Sequence, residues 1–256
     1  MKVVILAGGL GTRLAEETDI IPKPMVEIGE HPILWHIMKH YAHFGFREFV
    51  IALGYKGHVI KSYFSDYYRR TGNLRVDLSA GSVEVDSVHD EDWFVHLIDT
   101  GLETQTGGRI KRLEGLLKNE RFLLTYGDGL SNVPINELVA FHNRSGGLAT
   151  ITAAHPPARF GSMVIDGERV STFLEKPQTG EGWINGGFMV LEPGVLEYLS
   201  SDATSFEYDA LTRMAEDGVL AAYRHENFWM CMDTLRDKWL LQRLWQQGGP
   251  PWKTWA

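Results

Sequence analysis

Residues that could bind a phosphate follow the first hydrophobic run of the chain, VVILA (3–7). The segment GGLGTR places Gly8, Gly9 and Gly11 directly after this run, with Arg13 close behind. Glycines let the main chain turn sharply and bring its N–H groups against an anion, and arginine adds a forked, permanently charged donor. Two glycines alone would indicate a simple strand-to-helix turn. The whole segment after a buried strand favours an anion site.

The spacing of these glycines differs from two common phosphate-binding loops. It is not the GxGxxG of dinucleotide-binding folds, because no glycine stands three residues after Gly11. It is not a Walker P-loop either, because no GK[ST] ends it. A dinucleotide-dependent oxidoreductase is therefore disfavoured.

A lysine stands between two prolines in IPKPM (21–25). Proline fixes φ at residues 22 and 24 and biases Ile21 and Lys23 towards extended conformations, so we expect Lys23 on a stiff, extended segment. In isolation, a solvated loop lysine is the simpler interpretation. Its position shortly after a phosphate-type loop favours phosphate binding.

Two aspartates could hold a hard cation. Asp128 lies between two glycines after the hydrophobic run FLLTY (122–126), and Asp233 follows another hydrophobic stretch and precedes a predicted helix. Carboxylate oxygens suit Mg²⁺, whose other positions phosphates and waters can fill. An Asp-Gly turn at Asp128 and a helix N-cap at Asp233 stay open as alternatives.

Three further segments could contact a ligand. FLEKP (173–177) presents a Glu–Lys pair at a strand end, suited to sugar hydroxyls and a phosphate. INGGF (184–188) breaks a strand with two glycines, which indicates a bulge or a ligand against the backbone. TQTGGR (104–109) puts a glycine pair and an arginine at a helix start. Each segment could equally be a local backbone conformation.

Strands and helices alternate through the first half of the chain. The predicted strands lie at 3–7, 48–53, near 74–78, 95–101 and 121–129, and the predicted helices at 33–45, 57–68 and 107–119. The helix over 33–45 carries its apolar residues on one face, namely Ile33, Leu34, Ile37, Met38, Tyr41 and Phe44. This alternation predicts a Rossmann-like three-layer α/β/α fold with a mixed, mostly parallel sheet. Ligands of such sheets lie beyond the carboxyl ends of the strands.

The second half continues with a helix over 136–146 and a strand over 148–157, and then changes character. Asp166-Gly167 between two short strands predicts a small antiparallel insertion. A strand near 183–193, two helices around 193–217, a strand near 220–225 and a helix over 235–247 follow. The tail GGPPWKTWA is predicted to be irregular, with tryptophans that pack on a neighbouring surface.

Composition limits the classes of function. The 256 residues, 44% of them hydrophobic, can bury one large core. The net charge of -8 and the dispersed basic residues argue against a nucleic-acid surface. The single Cys231 cannot form an internal disulfide, and no apolar run reaches the roughly 20 residues that span a bilayer. The chain enters a strand after two residues, so we expect no signal peptide, no membrane partner and a cytoplasmic location.

The motifs LAGGLGTRL, PKP, GDG, EKP and NGG, in this order, resemble those of the sugar-1-phosphate nucleotidylyltransferases. DTGLETQTGGRIKR, LTYGDG, PPARFG and PPWKTW are similar to the cytidylyltransferase branch that acts on glucose 1-phosphate. The resemblance covers essentially the whole chain. Ile21 is a departure, because the family pattern has a second lysine there; this bears on phosphate affinity and spares Lys23.

The resemblance implies that CTP and α-D-glucose 1-phosphate react, with Mg²⁺, to CDP-glucose and pyrophosphate. It implies catalytic roles for Arg13, Lys23 and Asp128, and metal ligation by Asp128 and Asp233. The implied nucleotide-binding residues are Leu6, Ala7, Gly8, Gly9, Leu10, Gly11, Thr12, Arg13, Lys23, Thr104, Gly108, Arg109, Gly127 and Asp128. The implied sugar-phosphate-binding residues are Gly161, Glu175, Lys176, Asn185 and Gly186.

The resemblance further implies a homo-oligomer that serves the synthesis of a surface polysaccharide. It divides one domain over 1–256 into a nucleotide-binding half at about 1–133, a sugar-phosphate-binding half at about 134–234, and a C-terminal helix and tail at about 235–256. The same reaction with UTP, dTTP or another sugar 1-phosphate is one alternative. A non-catalytic nucleotide-sugar sensor is another, and the charged set at Arg13, Lys23, Asp128, Lys176 and Asp233 weighs against it.

Overall fold

Short strands make up the centre of the computed structural model, which describes residues 1–86, 91–156, 162–166, 169–174 and 182–255. In chain order the strands are β1 (Val3–Ala7), β2 (Glu27–Ile28), β3 (His31–Pro32), β4 (Glu48–Leu53), β5 (Asn73–Asp77), β6 (Ser82–Asp86), β7 (Phe94–Asp99), β8 (Phe122–Tyr126), β9 (Gly129–Ser131), β10 (Ala149–Ala154), β11 (Ser162–Asp166), β12 (Arg169–Leu174), β13 (Ile184–Asn185), β14 (Met189–Leu191), β15 (Leu220–His225) and β16 (Trp229–Cys231).

The helices are short or of medium length. They are α1 (Ala15–Thr18), α2 (Ile33–His43), α3 (Gly57–Ser65), α4 (Tyr67–Thr71), α5 (Thr106–Arg112), α6 (Glu114–Leu117), α7 (Ile135–Ser145), α8 (Thr212–Glu216) and α9 (Leu235–Gln246). Within the described part of the chain, no helix combines the length and apolar character needed to cross a membrane.

The main sheet has the strand order β13-β10-β14-β8-β1-β4-β7, with β15 also paired to β10. β1 runs parallel to both β4 and β8, and β4 runs parallel to β7. β14 lies antiparallel between β8 and β10. The predicted mixed, mostly parallel sheet is therefore confirmed.

Helices cover both faces of this sheet. Successive side chains of a strand point to opposite faces, and in β1 the residues Val3 and Ile5 join one buried hydrophobic cluster while Val4 and Leu6 join another. The first cluster is completed by α2, α3, α7 and α9, and the second by α5, α6, α8 and the turns before α8. The predicted three-layer, Rossmann-like arrangement is confirmed, and the apolar face expected for α2 is buried.

Among the described residues, the hairpins β2–β3, β5–β6 and β11–β12 each form a sheet of their own. β11 and β12 pair antiparallel with a bulge at Val164–Ile165, which confirms the predicted insertion. The strand predicted near 74–78 is present as β5, but it pairs with β6 instead of joining the main sheet. All ten residues of β5 and β6 are exposed.

The predicted strand over 183–193 is broken into β13 and β14 at Gly186 and Gly187. Both pieces pair with β10, but from Asn185 to Val190 this strand advances five residues while β10 advances three. Gly187 takes a φ of 72°, in the left-handed region that glycine tolerates. The glycine pair therefore makes a bulge, one of the two predicted possibilities.

Four predicted helices differ from the structure. The helix expected over 57–68 is split at Asp66 and the one expected over 107–119 at Leu113, each of which has a non-helical backbone. The pair expected around 193–217 becomes a 3-10 turn (Pro193–Tyr198), a π-helical turn (Phe206–Leu211) and the short α8. Tertiary packing here overrides the local pattern.

The neighbouring surface on which the tail packs belongs to the same chain: Trp252 is 1% exposed and packs in the first core cluster. Two histidines of α2 hold this tail. His36 Nδ1 accepts from Trp252 Nε1 at 3.4 Å, and His40 Nδ1 accepts from Thr254 Oγ1 at 3.0 Å. Each ring donates from Nε2 to a main-chain carbonyl, so both imidazoles are neutral.

Acidification from pH 6.5 to pH 5 is expected to lower the free energy of unfolding, by about 1.5 kcal/mol for His36 alone. Burial lowers the pKa of His36 to about 4 and that of His40 to about 3. An unfolded histidine titrates near 6.5, so the unfolded state takes up the protons first. The stabilisation is complete above that pH and is lost as the pH falls.

Urea denaturation followed by tryptophan fluorescence at several pH values measures this dependence. His36→Gln should reduce the slope, whereas His43→Gln, at an exposed position of the same helix, serves as the matched control. A slope unchanged by His36→Gln would contradict the assignment.

Candidate active site

A cleft of about 370 Å³ opens beyond the carboxyl ends of β1 and β8, at the edge predicted for ligands of a parallel sheet. Most of the predicted nucleotide-binding residues line it, namely Leu6, Ala7, Gly8, Gly9, Gly11, Thr12, Arg13, Lys23, Thr104, Arg109, Gly127 and Asp128. Leu10 and Gly108 lie apart from this group. Leu10 is 53% exposed, and Gly108 is buried against the main chain of Asp202.

The loop after β1 is shaped by its own hydrogen bonds. Gly11 has a φ of 67°, and its carbonyl accepts from Leu14 N at 2.9 Å and from the buried Thr18 hydroxyl at 3.1 Å. A side chain at Gly11 would be strained by this φ and would press on Thr18. These hydrogen bonds and the positive φ fix the sharp turn that an anion-binding loop requires.

Arg109 anchors three loops at the floor of the cleft. Its Nη1 donates to Thr100 Oγ1 at 2.8 Å, to Gly101 O at 2.7 Å and to Leu53 O at 3.1 Å, while Nη2 donates to Gly8 O at 3.1 Å. Arg109 itself is only 4% exposed. Its donors thus hold the ends of β1, β4 and β7 together, and few of its N–H groups are left for a ligand.

The glycine pair before Arg109 has a packing role. A Cβ at Gly107 would approach Thr204 O to 2.8 Å, and one at Gly108 would overlap the main chain of Asp202. Gln105 N and Gly108 N donate to carbonyls of the same segment. The pair lets the start of α5 lie directly against residues 202–204.

Lys23 lies at the centre of the charged groups. Its Nζ donates to Asp128 Oδ2 and to Asp233 Oδ1, both at 2.6 Å, and its side chain is 11% exposed. The predicted extended backbone at Lys23 is wrong, because the residue begins a 3-10 turn closed by Met25 N to Pro22 O at 2.8 Å. The prolines still stiffen the segment, and the turn directs the ammonium group inward.

Asp128 and Asp233 meet because β16 pairs with β9. Cys231 lies opposite Gly129, and Met232 N donates to Asp128 O at 2.9 Å, so the two aspartates extend from one end of this pair. Thr234 caps α9 in a reciprocal capping box with Asp237. Asp233 is therefore not the N-cap, and its carboxylate is free to face Lys23.

Arg13 completes the charged group from the cleft side. Its Nη1 donates to Asp233 Oδ2 at 2.7 Å, while the side chain is 73% exposed. Motif spacing did not predict this pair, because the two residues are 220 positions apart. Much of the guanidinium stays open to a ligand that enters the cleft.

The electrostatics keep Lys23 and Asp233 charged at neutral pH. Burial opposes the charge of Lys23, but Asp128 and Asp233 outweigh it and raise the lysine pKa. Burial likewise opposes the charge of Asp233, but Lys23 and Arg13 outweigh it and lower the aspartate pKa. Burial, followed by the two carboxylates, raises the pKa of Cys231 to about 12, so this thiol stays protonated.

The chemistry of the two carboxylates fits a hard divalent cation. Asp128 Oδ2 and Asp233 Oδ1 each lie 2.6 Å from Lys23 Nζ, so the distance between these two oxygens is at most twice that value. The described residues contain no group of three or more His, Cys, Asp or Glu side chains that could enclose a metal ion. A cation held here would need further oxygen ligands from a substrate and water, which is the usual mode for Mg²⁺.

The predicted sugar-phosphate residues are only partly described. Gly161, Glu175 and Lys176 lie outside the described residues. Asn185 donates from Nδ2 to Tyr126 Oη at 3.2 Å, which brings it next to the cleft. Gly186 is buried, and its carbonyl accepts from Trp229 Nε1 at 2.7 Å.

Four residues of the cleft lie in the quoted motifs but were not among the predicted site residues. Pro24, Gln105, Thr106 and Tyr126 line it beside the predicted residues. Each is the immediate neighbour of a predicted residue or motif, and Tyr126 directly precedes the GDG segment. The position of a residue directly after a strand or at a helix start was the available signal.

Known proteins match this chain over most of its length. The nucleotidyl transferase family model matches residues 2–245. Glucose-1-phosphate cytidylyltransferase of Salmonella typhi is 49% identical, and the probable glucose-1-phosphate cytidylyltransferase of Bacillus subtilis (strain 168) is 44% identical, each over 100% of both chains.

A solved structure, HddC from Yersinia pseudotuberculosis complexed with GMP-PN, is 25% identical, with a TM-score of 0.65 over 95% of this chain and 99% of the other. The family match covers both the loop after β1 and the Asp128–Asp233 end of the cleft. The resemblance read from the motifs is thus confirmed, and the chain belongs to the nucleotidyl transferase family.

Proposed function

We propose that the protein joins CTP and α-D-glucose 1-phosphate to form CDP-glucose and pyrophosphate. One observation carries the proposal: a buried lysine is held between two carboxylates at the mouth of a glycine-lined anion loop. The full-length identity of 49% to a glucose-1-phosphate cytidylyltransferase supports the choice of substrates. The proposal includes a cytoplasmic location and a role in the synthesis of a surface polysaccharide.

The reaction needs positioning and charge neutralisation more than acid–base chemistry. A phosphate oxygen of glucose 1-phosphate attacks the α-phosphorus of CTP in line, a new P–O bond forms, and the bond to the β-phosphate breaks. Pyrophosphate leaves with that electron pair. The loop from Leu6 to Arg13 holds the triphosphate with its main-chain N–H groups, and the exposed guanidinium of Arg13 neutralises the leaving pyrophosphate.

Lys23 stabilises the phosphoryl group being transferred. Its ammonium group is already fixed by two 2.6 Å hydrogen bonds, so little reorganisation is needed when charge develops. Asp128 and Asp233 hold Mg²⁺, which neutralises phosphate charge when bound. Glu175, Asn185 and main-chain groups at Gly161 and Gly186 bind the sugar hydroxyls, and Lys176 binds the sugar phosphate.

This assignment divides the chain as the motifs do. The half at about 1–133 supplies the nucleotide side, the half at about 134–234 supplies the sugar-phosphate side, and the helix and tail at about 235–256 close the first core cluster through Leu241 and Trp252. Thr104 and Arg109 belong to the base and ribose side of the cleft.

Purified protein is expected to release pyrophosphate from CTP and glucose 1-phosphate only when Mg²⁺ is present, and to prefer CTP over UTP, dTTP, ATP and GTP. A coupled pyrophosphate assay with a nucleotide panel measures this. Faster turnover with UTP or dTTP would select the alternative substrates. Nucleotide binding without pyrophosphate release would select the non-catalytic sensor.

Lys23→Ala and Asp128→Asn are each expected to lower kcat by about a hundredfold or more, because each removes charge next to the reacting phosphates. Lys111→Ala, which removes a lysine paired with Glu114 on the surface of α5, is the matched control. Steady-state kinetics on variants with wild-type circular dichroism gives the comparison. Near-normal turnover of either variant would remove that residue from the catalytic role.

We further propose that the protein is a homo-oligomer in which a second copy covers the β5–β6 hairpin. Leu74 pairs with Val85 and Val76 with Val83, so four aliphatic side chains share one face. They are 38–54% exposed. A two-stranded hairpin is marginally stable by itself in water, and a partner's apolar surface supplies the missing cover.

Val76→Glu should lower the molar mass measured by size-exclusion chromatography with light scattering, because it places a charge in the middle of this face. Arg75→Ala, on the opposite face of the same strand, should leave the mass unchanged. A wild-type mass equal to one chain, or no effect of Val76→Glu, would refute the hairpin interface.

A further inference from the structure

A network of hydrogen bonds lies behind the cleft, centred on Glu207. Tyr126 Oη donates to Glu207 Oε1 at 2.7 Å, and Thr106 Oγ1 donates to Glu207 Oε2 at 2.6 Å. Tyr126 in turn accepts from Asn185 Nδ2 at 3.2 Å. Tyr126 and Thr106 line the cleft, whereas Glu207 lies behind them and is not a lining residue.

The carboxylate of Glu207 sets the direction of the hydroxyl hydrogen bonds that reach it. A carboxylate can only accept, so Tyr126 must donate its single hydroxyl proton to Glu207. The phenol oxygen is then left to accept from Asn185. Burial, followed by the Glu207 carboxylate, raises the pKa of Tyr126, so the phenol keeps its proton at neutral pH.

Hydrogen bonds also fix the orientation of the Asn185 side-chain amide. Its Oδ1 accepts from Gly187 N at 3.0 Å, and one N–H of Nδ2 is committed to Tyr126. The second N–H of the amide is the donor that Asn185 can offer a ligand. This orientation depends on the bulge at Gly187, which turns the main-chain N–H back towards the side chain.

The other branch leads to the start of α5. Thr106 Oγ1 donates to Glu207 and accepts from Phe206 N at 2.9 Å, so the hydroxyl is fixed from both sides. Ser205 Oγ also donates to Glu207 Oε2, at 3.2 Å. Glu207 itself belongs to the π-helical turn, a rare element that is frequent at functional sites.

We infer that Glu207 is a positioning residue for both substrates. It orients Thr106 on the nucleotide side of the cleft and, through Tyr126, Asn185 on the sugar side. The inference rests on the proposed function, which gives these two sides their ligands. It goes beyond that function because Glu207 belongs to none of the motifs and touches neither substrate.

The two branches of the hydrogen-bond network can be removed by separate substitutions. Thr106→Val removes one hydroxyl and should raise KM for CTP, whereas Tyr126→Phe removes the other and should raise KM for glucose 1-phosphate. Glu207→Gln disturbs both branches and should raise both KM values. Each increase is expected to be about tenfold, the effect of losing one charge-assisted hydrogen bond.

Tyr198→Phe is the matched control, because it deletes an exposed tyrosine-to-carboxylate hydrogen bond, 2.7 Å long, to Asp217 on the surface. Both KM values should stay unchanged in this variant. If Glu207 had only a structural role, the three cleft variants would have lower urea denaturation midpoints. Thr106→Val and Tyr126→Phe would then not differ in which substrate's KM is raised.

Wild-type turnover is measured first, and its absence would refute the proposed function alone. Calorimetric titration with CTP and with glucose 1-phosphate then tests the network without turnover, and the same division of affinities is expected. Unchanged KM values and affinities in Glu207→Gln, the same substrate affected by Thr106→Val and Tyr126→Phe, or binding of neither ligand by the wild type would overturn the inference.

Discussion

The burial of one ammonium group organises this molecule. Lys23 is 9% exposed, and removing its charge from water is costly unless carboxylates lie within hydrogen-bond distance. Those carboxylates are 105 and 210 residues away in the chain, after β8 and after β16. The 3-10 turn that begins at Lys23 can therefore hold this lysine inward only when the central sheet and the β9–β16 pair have both formed. The site and the fold are for this reason stabilised together.

The sequence predicted the parts of this arrangement that depend on local pattern. Hydrophobic strands, the apolar face of α2 and the glycine spacing after β1 are properties of short windows, and the structure confirms them. The partners of charged groups are different, since nothing near Arg13 in the sequence indicates Asp233. The turn at Lys23, the independent β5–β6 hairpin and the inward packing of Trp252 likewise depend on contacts between distant segments, which no window contains.

The TGGR segment shows how a motif can be located correctly and interpreted incompletely. Its arginine does line the cleft, yet the hydrogen-bonding capacity of Arg109 is largely taken by the carbonyls of Gly8, Leu53 and Gly101. Its glycines face residues 202–204, from which the π-helical turn with Glu207 follows. The segment thus joins the strand-end loops to the second layer of helices.

The contact between Gly8 and Arg109 also limits how such a cleft can be altered. A Cβ at Gly8 would overlap the guanidinium of Arg109, and one at Gly54 would lie 2.5 Å from the same group. Because hydrogen bonds from three strand ends hold that guanidinium, it cannot yield as a surface arginine would. A substitution of Gly8 by a residue with a side chain must therefore be accompanied by a change at position 109. Variant libraries of this loop therefore need positions 8 and 109 varied together, whereas position 9, which has open space beside it, can be varied alone.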